Sequence, residues 1–89
     1  MKRVTIDFRT IKDTGDFYQQ FARAFDLEME FGANLDALWD ALTGMIALPA
    51  RITLRHLQQH QDPAQFSRII EVMREAEAAL NGLLAVRIN

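Results

Sequence analysis

The chain reads as a small α/β domain, a three-stranded parallel sheet with helices packed on it. Two observations predict this. Short segments alternate apolar and polar residues at the period of a strand, and stripes of apolar residues at helical spacing lie between them. Their order is strand, helix, helix, strand, helix, strand. Each pair of successive strands is therefore separated by a helical crossover, which favours parallel pairing. At 89 residues, residues 1–89 form one domain with a small core.

The first strand covers residues 3 to 8, where Val4, Ile6 and Phe8 alternate with Thr5 and Asp7. Asp13 and Thr14 offer capping oxygens for a first helix, with Asp16 in its first turn. Phe17, Phe21 and Phe25, beside Ala24, give that helix an apolar stripe ending near Leu27. Residues 28 to 33 are a connection, with Gly32 as its turn residue. Asn34 is a good N-cap for a second helix over about 34 to 46, with Gly44 near its end. Pro49 excludes helix and introduces a second strand over 50 to 54, with Ile52 and Leu54 in alternation. Residues 57 to 61 suggest a short helix. Asp62-Pro63 reads as cap plus first-turn proline of a long helix to about Asn81, with a stripe of Phe66, Ile69, Ile70, Met73, Ala76 and Leu80. Asn81-Gly82 stops it. Leu84, Val86 and Ile88 share one face of a final strand over 83 to 88.

Half of the residues are apolar and a quarter are charged, which fits a globule rather than a disordered segment. The absence of cysteine excludes disulfides and thiolate metal sites. No apolar run approaches a membrane span, and Met1-Lys2-Arg3-Val4-Thr5-Ile6-Asp7 is too polar for a signal peptide, so no membrane contact and a cytoplasmic location are expected. His56 and His60 stand at i, i+4, but the zinc-protease pattern needs Glu where Leu57 stands, and no third ligand is obvious. The only serine, Ser67, has no histidine at helical reach. Gly15, Gly32, Gly44 and Gly82 are scattered and form no phosphate-cradling loop. Arg51, Arg55, Arg68, Arg74 and Arg87 are spread over several elements, so no direct nucleic-acid contact is expected. No catalytic residue, metal ligand or cofactor is assigned, and the chain does not read as an enzyme.

Charge distribution is more informative than the net charge of −2. Residues 24 to 50 hold Asp26, Glu28, Glu30, Asp36 and Asp40 and no Lys or Arg, although the chain has ten bases elsewhere. On a helical wheel, Leu35, Leu38, Leu42 and Met45 fall on one side with Ala41. Asp36, Asp40 and Thr43 fall on the other, with Trp39 at the boundary. The helix dipole favours Asp36 near the N-terminus, but no such reason supports Asp40. Like charges at i, i+4 cost a few tenths of a kcal/mol, and no base nearby in the chain offsets them. A solvated acidic face explains this pattern, and so does a docking face for a basic partner, with Trp39 either an aromatic contact or a core-edge residue holding the helix down.

The run Phe31-Gly32-Ala33-Asn34-Leu35-Asp36-Ala37-Leu38-Trp39-Asp40-Ala41-Leu42-Thr43-Gly44 resembles the signature of the barstar family, intracellular protein inhibitors of barnase-type ribonucleases. The likeness extends over the chain, including Pro49 before the second strand and Met73-Arg74-Glu75-Ala76 in the last helix. It implies a barstar-like fold and a one-to-one complex with a basic ribonuclease, whose active site is plugged by the second helix and the loop before it. Asp40 matches the aspartate that fills the nuclease's phosphate site, and Asp36 a second interface aspartate. Gly32, Asn34, Leu35, Trp39, Thr43, Gly44 and Glu75 match interface positions by identity. Phe31 stands where an interface tyrosine is common. Glu30 and Met45 replace aromatic residues of the best-known member, and Ala33 replaces an acid. The alternative is an interaction module for another basic toxin or an RNA-processing protein through the same acidic face.

Overall fold

The computed structural model describes residues 1–27 and 32–89. Strands β1 (Lys2–Asp7), β2 (Ala50–Arg55) and β3 (Leu84–Ile88) form one sheet in the order β1-β2-β3, with both pairs parallel. Helices α1 (Thr14–Ala24), α2 (Leu35–Gly44) and α3 (Ser67–Ala79) supply the crossovers, so the expected three-stranded parallel α/β architecture is the one observed. Short 3₁₀ turns occupy Phe8–Thr10, Leu57–Gln59 and Pro63–Phe66.

Alternation in the strands decides which face is covered. Val4, Ile6, Ala50, Ile52, Leu54, Leu84 and Val86 are buried on the side where the helices pack. Phe8, Phe17, Phe21 and Phe66 are fully buried in the same core. Phe8 meets Phe66 edge-on, with ring centroids 4.9 Å apart, which ties the end of β1 to the entrance of α3. Helix α2 packs on α3 and buries Leu38, Ala41 and Leu42 completely. Met45, expected on that apolar side, is instead 52% exposed, and Ile46, one residue beyond it, is buried. The helix has ended at Gly44, so the wheel no longer applies at Met45.

The caps account for the boundaries. Asp13 accepts from the Asp16 amide, and Asn34 Oδ1 accepts from the Ala37 amide at 2.8 Å. Helix α1 stops at Ala24 rather than near Leu27. Asp26 takes the left-handed conformation (φ 56°), while the Leu27 amide donates to Ala22 O and the Asp26 amide to Arg23 O. The stop after α3 comes from Asn81 (φ 49°) and Gly82 (φ 96°), as expected. The entrance to α3 differs from the expected single helix. Pro63–Phe66 is a 3₁₀ turn, and the Asp62 side chain caps nothing. The backbone amide of Asp62 instead donates to His60 Nδ1 (2.9 Å). That leaves the proton on His60 Nε2, which donates to Ile11 O (2.8 Å). With both ring nitrogens engaged, His60 joins two loops and is not free to act as a metal ligand beside His56. His56 Nδ1 in turn contacts Gln59 Oε1.

Candidate functional site

The second helix presents the acidic residues as its wheel predicts. Asp36 and Asp40 are exposed, opposite the buried Leu38, Ala41 and Leu42. Among the described residues neither carboxylate accepts a hydrogen bond or forms an ion pair. Asp36 lies in the first turn, where backbone N–H groups favour an anion. Asp40 lies a full turn beyond, with nothing in its own helix to offset its charge.

Around these carboxylates the side chains are held from below. Leu35 and Trp39 are half-buried and packed against the core, so each ring or branched chain shows only part of its surface. Trp39 is thereby fixed beside the acids rather than free to rotate into water. The Thr43 hydroxyl donates to Trp39 O (2.8 Å), which uses its proton and leaves the oxygen able only to accept. Gly44 is exposed, and a β-carbon built on it would meet nothing within 4 Å. The fold itself therefore does not need a glycine there. Gly32 is different: a β-carbon there would come within 3.2 Å of Asn34 Nδ2 and 3.4 Å of Ala37 Cβ, crowding the cap that starts α2.

Gly32, Asn34, Leu35, Asp36, Trp39, Asp40, Thr43 and Gly44 are thus brought together on α2 and its entrance. Glu75 is exposed on α3, the helix against which α2 packs. Phe31 and Glu30 lie outside the described residues. A cleft of about 510 Å³, which the sequence did not suggest, opens beside the start of α2; its walls include Tyr18, Asn34, Leu35, Asp36, Gln65 and Arg68. Asp36 is therefore less isolated from bases in space than along the chain. Arg68 borders the same cleft, yet no ion pair joins them. Asp36 and Arg68 come from different crossovers, so chain position gave no signal of their meeting.

Exposed carboxylates flanked by a held indole and a bare helix end suit docking against cationic groups. Comparison with known proteins agrees in kind. Over 82 residues, covering 90% of each chain, the sequence is 29% identical to the Bacillus subtilis (strain 168) protein named "Putative ribonuclease inhibitor YrdF". The family model described as Barstar (barnase inhibitor) matches residues 1–86, and the chain belongs to that family.

Proposed function

We propose that this chain inhibits a basic ribonuclease by docking α2 and the connection before it over the nuclease active site, in a one-to-one complex in the cytoplasm. Asp40 and Asp36 occupy positions that substrate phosphates would take. Trp39, Leu35 and Phe31 supply apolar contact, Gly32, Asn34, Thr43 and Gly44 allow close approach, and Glu75 extends the acidic surface from α3. The chain acts by occupying the site, and performs no chemistry of its own.

The observation that carries this reading is the pair of exposed, unpartnered carboxylates one turn apart on a helix whose other side is fully buried. A fold does not benefit from such a pair, but a cationic site does: complementary fields speed encounter and fix register. Membership of the family and the named relative support the same reading.

The test is titration of the purified chain into a barnase-type ribonuclease, followed by calorimetry and by residual RNA cleavage. Stoichiometric loss of cleavage is expected, with association that slows as salt rises. Asp40→Ala should weaken binding by about 3–5 kcal/mol, the scale for removing one partner of a buried charge pair. Undiminished binding by Asp40→Ala would refute the phosphate-mimic geometry. A partner recovered from cells that lacks nuclease activity would favour the other basic-partner reading.

A further inference from the structure

The side of the sheet away from the helices has no role in the docking surface above. Its residues are the outward alternates of the three strands: Arg3, Thr5 and Asp7 on β1; Arg51, Thr53 and Arg55 on β2; Ala85 and Arg87 on β3. None of them is buried. Counted along the chain these arginines are scattered, but the strand register gathers them. Arg3 lies directly across from Arg51, and Arg87 directly across from Thr53. Strand spacing and rise put Arg3 and Arg51 about 5 Å apart at the backbone, with Arg87 about 8 Å from both Arg51 and Arg55. The single acid among the described outward alternates, Asp7, lies directly across from Arg55 and is ion-paired with Arg9 at 2.8 Å, so the uncompensated charge centres on Arg3, Arg51 and Arg87. Among the described residues none of the four arginines is ion-paired, and Arg51 Nε is buried without a hydrogen-bond partner.

Two features make this more than wet surface. Parallel sheets are ordinarily covered on both faces, and among the described residues every outward alternate of this one is partly or fully exposed. Like charges directly opposed across strands destabilise a sheet, so the Arg3–Arg51 pairing carries a cost that an anion lying between them would relieve. All four bases are arginine, whose planar fork matches phosphate oxygens in pairs. Among the described residues the face has no aromatic anchor of the kind that dominates protein interfaces. Nor does it carry a large apolar side chain to insert into a lipid surface. From β1 to β3 it spans only about 10 Å, the width for one extended backbone.

We propose that the open face of the sheet binds the phosphodiester backbone of single-stranded nucleic acid without reading its sequence. The arginines hold successive phosphates, and the Thr5 and Thr53 hydroxyls lie between them as neutral hydrogen-bonding groups. Without aromatic side chains there is no base stacking, so binding is electrostatic and depends steeply on salt. Because α2 packs on the helical side, a nuclease docked there leaves this face free. Nucleic-acid binding here does not depend on the inhibitor role.

The test is fluorescence anisotropy of a labelled short oligouridine RNA titrated with the full chain over a range of salt. Four phosphate contacts on a single strand give a slope of log K against log salt of about −3. Arg51→Gln and Arg87→Gln should each flatten that slope by about 0.7. Arg23→Gln on α1 makes the same charge change on the other side of the molecule and should leave the slope unchanged. Arg51→Lys keeps the charge, loses the fork and should bind several-fold more weakly. Thermal melts by circular dichroism establish that each variant is folded before its binding is compared. Three results would each overturn the proposal: no salt-dependent binding; equal loss from Arg23→Gln; or competition by polyglutamate or anionic vesicles as effective as unlabelled RNA at equal charge. Asp40→Ala should weaken nuclease inhibition while leaving RNA binding intact, so the two readings fail separately.

Discussion

Helices α2 and α3 pack against each other, yet they handle charge in opposite ways. On α3, Arg74 Nη1 donates to Glu77 Oε1 (3.0 Å) and to Val86 O (2.7 Å), and Glu77 Oε2 accepts from the Val86 amide (2.7 Å). One ion pair thereby satisfies both backbone groups of Val86 on β3, an edge strand of the sheet. That closes part of an edge that would otherwise offer its hydrogen bonds to another chain. On α2, Asp36 and Asp40 satisfy nothing within the described fold. The Arg74–Glu77 pair on α3 holds the molecule together, whereas Asp36 and Asp40 on α2 are held out by a helix already anchored through its apolar side.

The contrast predicts opposite responses to truncation. Asp40→Ala, with its loss of about 3–5 kcal/mol in binding, should leave the fold intact or raise its stability by a few tenths of a kcal/mol, because a like-charge pair disappears and alanine favours helix. Glu77→Ala should do the reverse. It leaves the Val86 amide without its charged acceptor and should cost about 1–2 kcal/mol of stability, read as an earlier urea midpoint. Binding to the nuclease should not change once the variant is folded. If Asp40→Ala lowered stability as much as Glu77→Ala does, α2's charges would be structural and the contrast would fail.

Much of the fold was legible because its signals are local. Alternation in Val4-Thr5-Ile6 and the cap at Asn34 are set by near neighbours and hold in the structure. The acidic face of α2 was legible for the same reason, since one helix carries all of it. What the sequence hid depends on residues far apart in the chain. The 3₁₀ entrance to α3 follows from His60 engaging the Asp62 amide and Ile11 O. The Asp36–Arg68 cleft joins two crossovers. The arginine face exists only once parallel register places Arg3 beside Arg51. A trace of it was present in the sequence: every strand carries arginine at its outward alternates, a pattern seen by counting bases by strand face rather than along the chain.

Gly44, at the end of α2, separates fold from docking by a smaller effect. It ends α2 in open space, so Gly44→Ala meets no clash and should stabilise the helix by a few tenths of a kcal/mol, less than in a helix interior. If this end of α2 lies against a partner, the same methyl group obstructs close approach and inhibition should weaken. Parallel urea titrations and inhibition assays separate the two effects. Greater stability with undiminished inhibition would remove Gly44 from the docking surface.

Asp7 shows what a partner does to an exposed carboxylate. Arg9 donates to it from its guanidinium, at 2.8 Å at the shortest, and from its backbone amide at 3.0 Å. These bonds bring its pKa down from 3.8 to about 2. A lowered folded-state value stabilises the protein above the unfolded pKa, and this stabilisation disappears as pH falls from about 3.8 through about 2. Arg9→Gln removes the guanidinium and keeps the backbone amide. The Asp7 pKa, followed by the NMR shift of its carboxyl carbon, should therefore rise without returning fully to its ordinary value. The stability gap between the variant and the parent should be present at neutral pH and close in the same acid window. An Asp7 that still titrated near 2 in Arg9→Gln would show that the backbone amide alone holds it. Backbone N–H groups, such as those at the helix N-terminus beside Asp36, would then stabilise exposed carboxylates more than side-chain partners do.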